Sequence, residues 1–191
     1  MRHRIAPGAL VALGALTFTA VASAHARVSP PVAVAKEPQM FTLAVPTEKE
    51  NATTTTIEFT LPAGFGIDSF APSPGWKRSL QQTGSGDAAV IQKVTWSGGS
   101  VPTGEDSVFS FLAIADASKT YTFGVRQTYS DGSVVDWTGP ESSDAPAPTL
   151  KAVSSLGGGT STLSIVALAV AAIALVAAVG GLLARGGRTL A

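Results

Sequence analysis

One histidine carries most of the metal-binding chemistry that this sequence offers. The chain has two histidines, His3 and His25, and His25 directly follows the small residues Ala22-Ser23-Ala24. Cleavage after Ala24 would make His25 the first residue of the mature chain. Its α-amine and its imidazole Nδ1 could then chelate one metal ion, and Cu(II) is the divalent first-row metal that such nitrogen donors bind most strongly. The alternative is that His25 only marks the cleavage point and lies in a frayed terminus.

The rest of the composition excludes most other reactive sites. There is no cysteine, which rules out disulfides, thiolate metal sites and thiol nucleophiles. A single mature histidine at the terminus supplies neither a three-histidine zinc site nor the buried base of a Ser-His-Asp triad, and Met40 alone is too little for a methionine-rich Cu(I) site. Thirteen basic and thirteen acidic residues show no basic excess for nucleic acid. We therefore expect a non-enzymatic protein that does not bind nucleic acid.

The N-terminal block predicts export from the cytoplasm. Arg2 and Arg4 precede an apolar stretch over about residues 9–21, and small residues close the block at Ala24. A basic start, a short apolar core and a small-x-small end are typical of a secretory signal peptide, here residues 1–24. An uncleaved anchor is the alternative, but the apolar core is short for spanning a bilayer.

The C-terminal block predicts a single membrane span. Residues 163–184 carry no charge, and Arg185 and Arg188 follow in a short tail over 185–191. An apolar helix of this length crosses the hydrocarbon core, and arginines at its end favour the cytoplasmic side. A Gly/Ser-rich linker, 154–162, precedes it. The predicted location is therefore the cell membrane, with the domain at 25–153 outside the cytoplasm, in a periplasm or at a cell surface.

The exported domain is predicted to be all-β. Apolar and polar residues alternate over 41–45 and 55–61, which is typical of half-buried strands. Further strands are predicted over 67–71, 76–83, 90–96, 107–114, 119–129 and 133–138, with turns at Gly and Pro clusters such as Gly98-Gly99. This spacing favours an antiparallel β-sandwich of immunoglobulin-like type. The domain has nine basic against thirteen acidic residues, so it should attract cations.

Several short motifs then identify a family resemblance. They are, in order, Ala24-His25, Val45-Pro46-Thr47-Glu48-Lys49, Pro74-Gly75-Trp76, Thr95-Trp96-Ser97-Gly98, Gln127-Thr128-Tyr129-Ser130-Asp131-Gly132, Val135-Asp136-Trp137 and Pro146-Ala147-Pro148-Thr149-Leu150. Together they closely resemble the YcnI-like copper-binding membrane proteins, over the whole mature domain and its anchor. The resemblance implies a cupredoxin- or immunoglobulin-like sandwich that binds Cu(II) through a single-histidine brace. It also implies a role in copper capture, trafficking or homeostasis beside CopC/CopD-like copper proteins.

The same resemblance implies which residues form the metal site. The brace would be the terminal amine and the imidazole of His25, and Trp137 matches the tryptophan that lies close to the metal in the family. An indole N–H is a donor and cannot be an ordinary metal ligand, so Trp137 would shield the ion or contact it through its ring. Burial in the core is the other reading of Trp137.

The acidic ligand of the family is missing at its usual place. A glutamate usually follows the stretch equivalent to Ser29-Pro30-Pro31, but Val32 and Ala33 stand here. Glu37 is the nearest carboxylate in sequence and is our candidate third ligand, with Asp136 or water as alternatives.

Two classes of function remain open from the sequence. The first is a membrane-anchored extracytoplasmic Cu(II)-binding protein. The second is a metal-free immunoglobulin-like module that binds another protein at the cell surface. Dependence of copper affinity on a terminal His25 would distinguish them.

Overall fold

The computed structural model describes residues 25–157 and 161–186, apart from the side chains of Asp87 and residues 182–186. The predicted signal peptide lies outside the described residues. The strands are β1 Arg27–Ser29, β2 Val32–Val34, β3 Gln39–Pro46, β4 Thr54–Thr60, β5 Phe65–Phe70, β6 Lys77–Thr83, β7 Val90–Val101, β8 Asp106–Ala115, β9 Thr120–Thr122, β10 Gly124–Tyr129, β11 Val134–Trp137 and β12 Thr149–Val153. One 3-10 turn spans Gly86–Ala88, and a single helix, α1, spans Thr162–Gly186.

The strands form a β-sandwich, as the sequence predicts. One sheet has the order β1-β3-β8-β5 and the facing sheet has the order β11-β10-β4-β7-β6. A small third sheet, β2-β12-β9, contains the one parallel strand pair, between β2 and β12. All other strand pairs in the described residues are antiparallel.

Alternating side chains build the core between the two large sheets. In β8 every second residue is buried, from Ser107 to Ala115, and β4 buries Ile57 and Phe59 in the same way. Phenylalanines from both sheets meet at ring-centroid distances of 4.9–6.5 Å. Aromatic packing of this kind adds to the free energy gained by removing apolar surface from water.

The sequence-based strands were wrong in two places. The run predicted over 119–129 divides at Phe123 into β9 and β10, which belong to different sheets. The predicted turn at Gly98-Gly99 lies inside β7, because a bulge at positive φ lets the strand continue. Gly99 is needed there because a Cβ would lie 2.2 Å from the Trp76 ring. The short strands β1, β2 and β12 were not predicted, because each has three to five residues and too few alternations to be read.

Helix α1 follows the sandwich after residues 154–161. Its first twenty residues, Thr162–Gly181, are long and apolar enough to cross a membrane. This agrees with the span predicted from the sequence over 163–184.

The sandwich has two ends, here named the exit end and the far end. The exit end is where β12 finishes at Val153, beside Val34 in β2, and where the Lys36 amide donates to the Ala115 carbonyl at 2.7 Å. Strand β3 begins there, since Gln39 pairs with Ala113. The far end is where β3 finishes at Pro46. The seven residue steps of β3 separate the two ends by about 24 Å.

Candidate metal site at the far end

His25 lies at the far end because of the strand that follows it. Strand β1 is an edge strand paired antiparallel with β3, with Arg27 opposite Ala44 and Val28 opposite Leu43. Continuing that register by two residues sets His25 opposite Pro46. Ala26 and Val28 face the core, while His25 is half-buried. The short β1 strand therefore holds the residues that follow the predicted cleavage point against β3.

An open pocket adjoins His25 on the outer side of β1. Its volume is about 440 Å³, and Arg27, Glu141 and the proline-rich segment 146–149 line it together with His25. Trp137, Glu37 and Glu48 do not line this pocket. Glu141 is exposed and brings one carboxylate to the same pocket as the imidazole.

Trp137 lies in the core beneath the far end. It is 1% exposed, and its indole N–H donates to Gln127 Oε1 at 3.0 Å. Gln127 Nε2 in turn donates to the Pro46 carbonyl at 2.8 Å and to Thr54 Oγ1 at 2.7 Å. The indole N–H therefore already has a hydrogen-bond acceptor within the core. Gln127 thus links Trp137 to Pro46, the residue that the register of β1 against β3 sets opposite His25.

Three turns join to form the surface of the far end. The Thr47 amide donates to the Glu105 carbonyl and the Gly104 amide donates to the Thr47 carbonyl, both at 2.9 Å. Thr103 Oγ1 donates to the Lys49 carbonyl at 2.6 Å. The Ser130 amide of the β10–β11 hairpin donates to the Thr53 carbonyl at 2.8 Å. These bonds fix the turn between β3 and β4 against both of its neighbours.

The joined turns concentrate negative charge beside His25. Five carboxylates lie on them or at the adjoining start of β8: Glu48, Glu50, Glu105, Asp106 and Asp131. Two of the five form ion pairs at this end, Asp106 with Arg27 at 3.5 Å and Asp131 with Lys49. Glu48 is exposed and lies two residues beyond Pro46. Its charge also contributes to the raised pKa of Tyr129, whose main cause is burial of the phenol. A surface of this kind raises the local concentration of cations.

A lysine clamp holds the turn that carries Glu48. Lys49 Nζ contacts Asp131 Oδ2 at 2.5 Å and donates to Ser133 Oγ at 2.7 Å. The hydrogen bond from Lys49, with further bonds from Ser133, holds the pKa of Asp131 well below its usual value of 3.8. Asp131 therefore stays charged across the physiological range and is occupied by its partner.

The structure does not bring the predicted third ligands to His25. Glu37 is exposed in the turn between β2 and β3, at the exit end, so the length of β3 separates it from His25. Asp136 lies on the outer face of the five-stranded sheet, where Arg126 Nε and Nη2 donate to its two carboxylate oxygens at 2.8 and 3.0 Å. That hydrogen bonding lowers the pKa of Asp136.

Glu48 is the first carboxylate after the end of β3. It belongs to the motif 45–49, but the sequence predicted Glu37 as the third ligand, with Asp136 or water as alternatives. The signal needed was the pairing of β1 with β3, and a three-residue strand gives too short a pattern to be seen. Extending the register of β1 against β3 sets His25 opposite Pro46, which lies two residues before Glu48 in the chain.

The donor atoms at the far end are nitrogen and carboxylate oxygen. They suit a metal ion that prefers these donors to sulfur. In the described ranges 25–157 and 161–186, no three His, Cys, Asp or Glu side chains are grouped to hold a metal ion. One imidazole and one carboxylate, with the terminal amine that cleavage would free, would make a site of low denticity. The absence of cysteine and of further methionines removes the soft donors that Cu(I) prefers.

Comparison with known proteins identifies a matching family model and a related protein. Residues 25–152 match the family model described as a domain of unknown function, DUF1775. The copper-binding protein CutI of Bacillus subtilis (strain 168) is 32% identical over 187 residues, which cover 89% of this chain and 90% of that protein.

A solved structure supports the same architecture. A crystal structure of a protein from Nocardia farcinica, described as having an immunoglobulin-like fold, superposes with a TM-score of 0.58 at 31% identity. The match covers 68% of this chain and 98% of that one. The immunoglobulin-like sandwich predicted from the sequence is confirmed.

Proposed function

Because this chain belongs to the YcnI-like family that the DUF1775 model describes, we propose that it is a membrane-anchored protein that binds Cu(II) through His25. One observation carries the proposal. The register of β1 against β3 sets the single histidine of the described residues beside the carboxylate-rich turns of the far end. The copper-binding name of the B. subtilis relative supports the choice of metal.

The site would use three donors from two parts of the chain. Cleavage after Ala24 would free the α-amine of His25, which then chelates Cu(II) together with the imidazole Nδ1. Glu48 would supply the carboxylate that the family pattern leads one to seek after residues 29–31. Nitrogen and carboxylate donors suit Cu(II), and copper here is cargo, with no chemical turnover.

The placement of the site suits capture and transfer. The donors lie at the surface, at the end of the sandwich opposite to the one from which the chain leaves. With α1 crossing the membrane and the arginines after it on the cytoplasmic side, the domain would lie outside the cytoplasm. A site of low denticity releases its ion to a partner more readily than a closed four-ligand site does.

The role of Glu48 is tested by comparing Glu48→Gln with Glu37→Gln in the mature chain beginning at His25. We expect Glu48→Gln to weaken Cu(II) binding about tenfold or more, because the amide is a neutral and weaker donor. Glu37→Gln removes the same charge at the other end of β3 and should change the affinity little. Isothermal titration with a competing chelator measures both affinities.

The opposite order of effects on affinity would assign the carboxylate ligand to Glu37. A loss of affinity in Glu37→Gln with none in Glu48→Gln contradicts the placement derived from the β1–β3 register. Unchanged binding in a His25→Ala variant would contradict the copper site itself.

A further inference from the structure

Three lysines surround the point where the chain leaves the sandwich. Lys151 lies on β12, two residues before its end. The Lys36 amide donates to the Ala115 carbonyl at 2.7 Å, and the Lys119 carbonyl accepts from the Ala152 amide at 2.9 Å. Backbone hydrogen bonds therefore hold all three residues at the exit end, and their side chains are exposed.

These lysines are not neutralised by ion pairs within the described part of the chain. The four ion pairs found there use other cations. Lys119 Nζ donates to the Ala63 carbonyl at 3.0 Å and lies 4.7 Å from the centre of the Tyr121 ring. Two carboxylates share the exit end. Glu37 is exposed, and Asp116 accepts a hydrogen bond from the Tyr121 hydroxyl at 2.7 Å.

Exposed apolar side chains lie beside the same lysines. Met40 is 56% exposed and Ile114 is 36% exposed, both at the exit end of the four-stranded sheet. Ile114 directly precedes Ala115, whose carbonyl binds the Lys36 amide. Leu156, just beyond β12, is 64% exposed. The exit end therefore combines three lysines, against two carboxylates, with apolar side chains exposed to solvent.

The chain between the sandwich and α1 is short. Only residues 154–161 separate β12 from the helix, and a fully extended chain of this length spans about 30 Å. The exit end is the part of the domain that this tether brings nearest to α1. Lysines attracted by anionic headgroups, with apolar side chains in the interfacial layer, are the chemistry of proteins that lie on bilayers.

We propose that the exit end is a membrane-contacting surface, where Lys36, Lys119 and Lys151 bind anionic lipid headgroups and Met40 and Ile114 enter the interfacial layer. This proposal rests on the membrane anchor of the proposed function and not on copper binding. The contact would hold the sandwich upright on the bilayer. The far end, with His25, would then face away from the membrane by about the length of β3.

Protection of side chains in nanodiscs tests the contact. The full mature chain is reconstituted in nanodiscs of phosphatidylcholine alone or with about one third phosphatidylglycerol, and lysine acylation and methionine oxidation are followed by mass spectrometry. We expect Lys36, Lys119 and Lys151 to react several-fold more slowly in the anionic nanodiscs, with high salt restoring their rates. Lys77, exposed on edge strand β6, is the internal control and should react equally in both.

A variant and a soluble anion complete the experiment. Replacing the three lysines together by glutamine should abolish the added protection of Met40 in anionic nanodiscs, whereas Lys77→Gln should not. Inorganic phosphate added to zwitterionic nanodiscs should give no protection, because the surface binds a lipid layer and not a single anion.

Two failures can be told apart. If alkaline carbonate extracts the chain from membranes, the proposed membrane anchor is contradicted. The lipid contact, which rests on the anchor, is then contradicted too. If the chain resists extraction but the three lysines react equally in both lipid compositions, the lipid contact alone is contradicted. Protection by phosphate without anionic lipid would also contradict it.

Discussion

Three buried polar contacts of the sandwich converge on Gln127. Its Oε1 accepts from the Trp137 indole, and its Nε2 donates to the Pro46 carbonyl and to Thr54 Oγ1. An indole N–H can only donate and a carbonyl can only accept, so the orientation of the amide is fixed by its neighbours. Gln127 thus joins β10 and β11 to the end of β3, directly opposite His25.

Replacing Gln127 should destabilise the domain in a way that depends on hydrogen bonding. Gln127→Met keeps the approximate size but leaves the Trp137 indole and the Pro46 carbonyl without partners. We expect the free energy of unfolding to fall by about 1–3 kcal/mol for each buried group left unsatisfied. Urea unfolding of the mature domain measures the change. Gln82→Met on the exposed strand β6 is the control and should change stability by less than about 0.5 kcal/mol.

The contrasting result would be equal stability of the two methionine variants. It would mean that the contacts of Gln127 with Trp137 and Pro46 contribute nothing to the fold. Trp137 would then act on the far end only through its bulk.

At the scale of elements, the turns of the far end depend on one another. The turn between β3 and β4 carries Glu48, and the clamp from Lys49 to Asp131 and Ser133 attaches it to the β10–β11 hairpin. Asp131 also accepts from the Ser133 amide at 3.0 Å, so the hairpin is itself prepared to receive the lysine. The position of the proposed ligand is therefore set by a neighbouring element.

The clamp predicts a pH-dependent contribution to stability. The pKa of Asp131 is lower in the folded than in the unfolded chain, so its stabilisation is present above the unfolded pKa and is lost as pH falls through the folded pKa. Asp131→Asn should therefore lower the thermal unfolding temperature at neutral pH and have a shrinking effect as the solution becomes strongly acidic. Calorimetry from neutral to acid pH measures the difference.

Salt and a second variant give the controls for the clamp. The effect of Asp131→Asn should be modest and should decrease with added salt, since both side chains are partly exposed. Asp68→Asn, which removes a carboxylate outside the described ion pairs, should show no such pattern. A pH-independent effect of Asp131→Asn would contradict a charge-based clamp.

The elements also show what the sequence could and could not predict. Strand alternation located β3, β4 and β8, because each has at least seven residues with one face on the core. Composition located His25, since the inventory held no competing ligand. The pairing on which the proposed Glu48 ligand depends could not be predicted, because it joins a three-residue strand to residues about twenty positions further along the chain. Trp137 was identified from a motif, but its partner Gln127 required the packing of β10 against β3.

At the scale of the whole molecule, charge is divided between the two ends of the sandwich. Five carboxylates gather at the far end with His25, while three lysines surround the exit of the chain toward α1. Such a molecule would attract cations at one end and an anionic surface at the other. In the proposed anchored copper carrier, this division would leave the site open to partners while the exit end rests on the membrane.

The most direct test of the account is a Cu(II) titration of the mature chain beginning at His25, beside the same chain with Ala24 retained, followed by electron paramagnetic resonance. We expect tight one-to-one binding with nitrogen hyperfine structure for the chain that begins at His25. One extra residue takes the α-amine of residue 25 into a peptide bond and moves the terminal amine to Ala24, so the affinity and the spectrum of that chain should both differ from those of the chain that begins at His25. Equal affinity and identical spectra for the two chains would contradict a site built on a terminal His25.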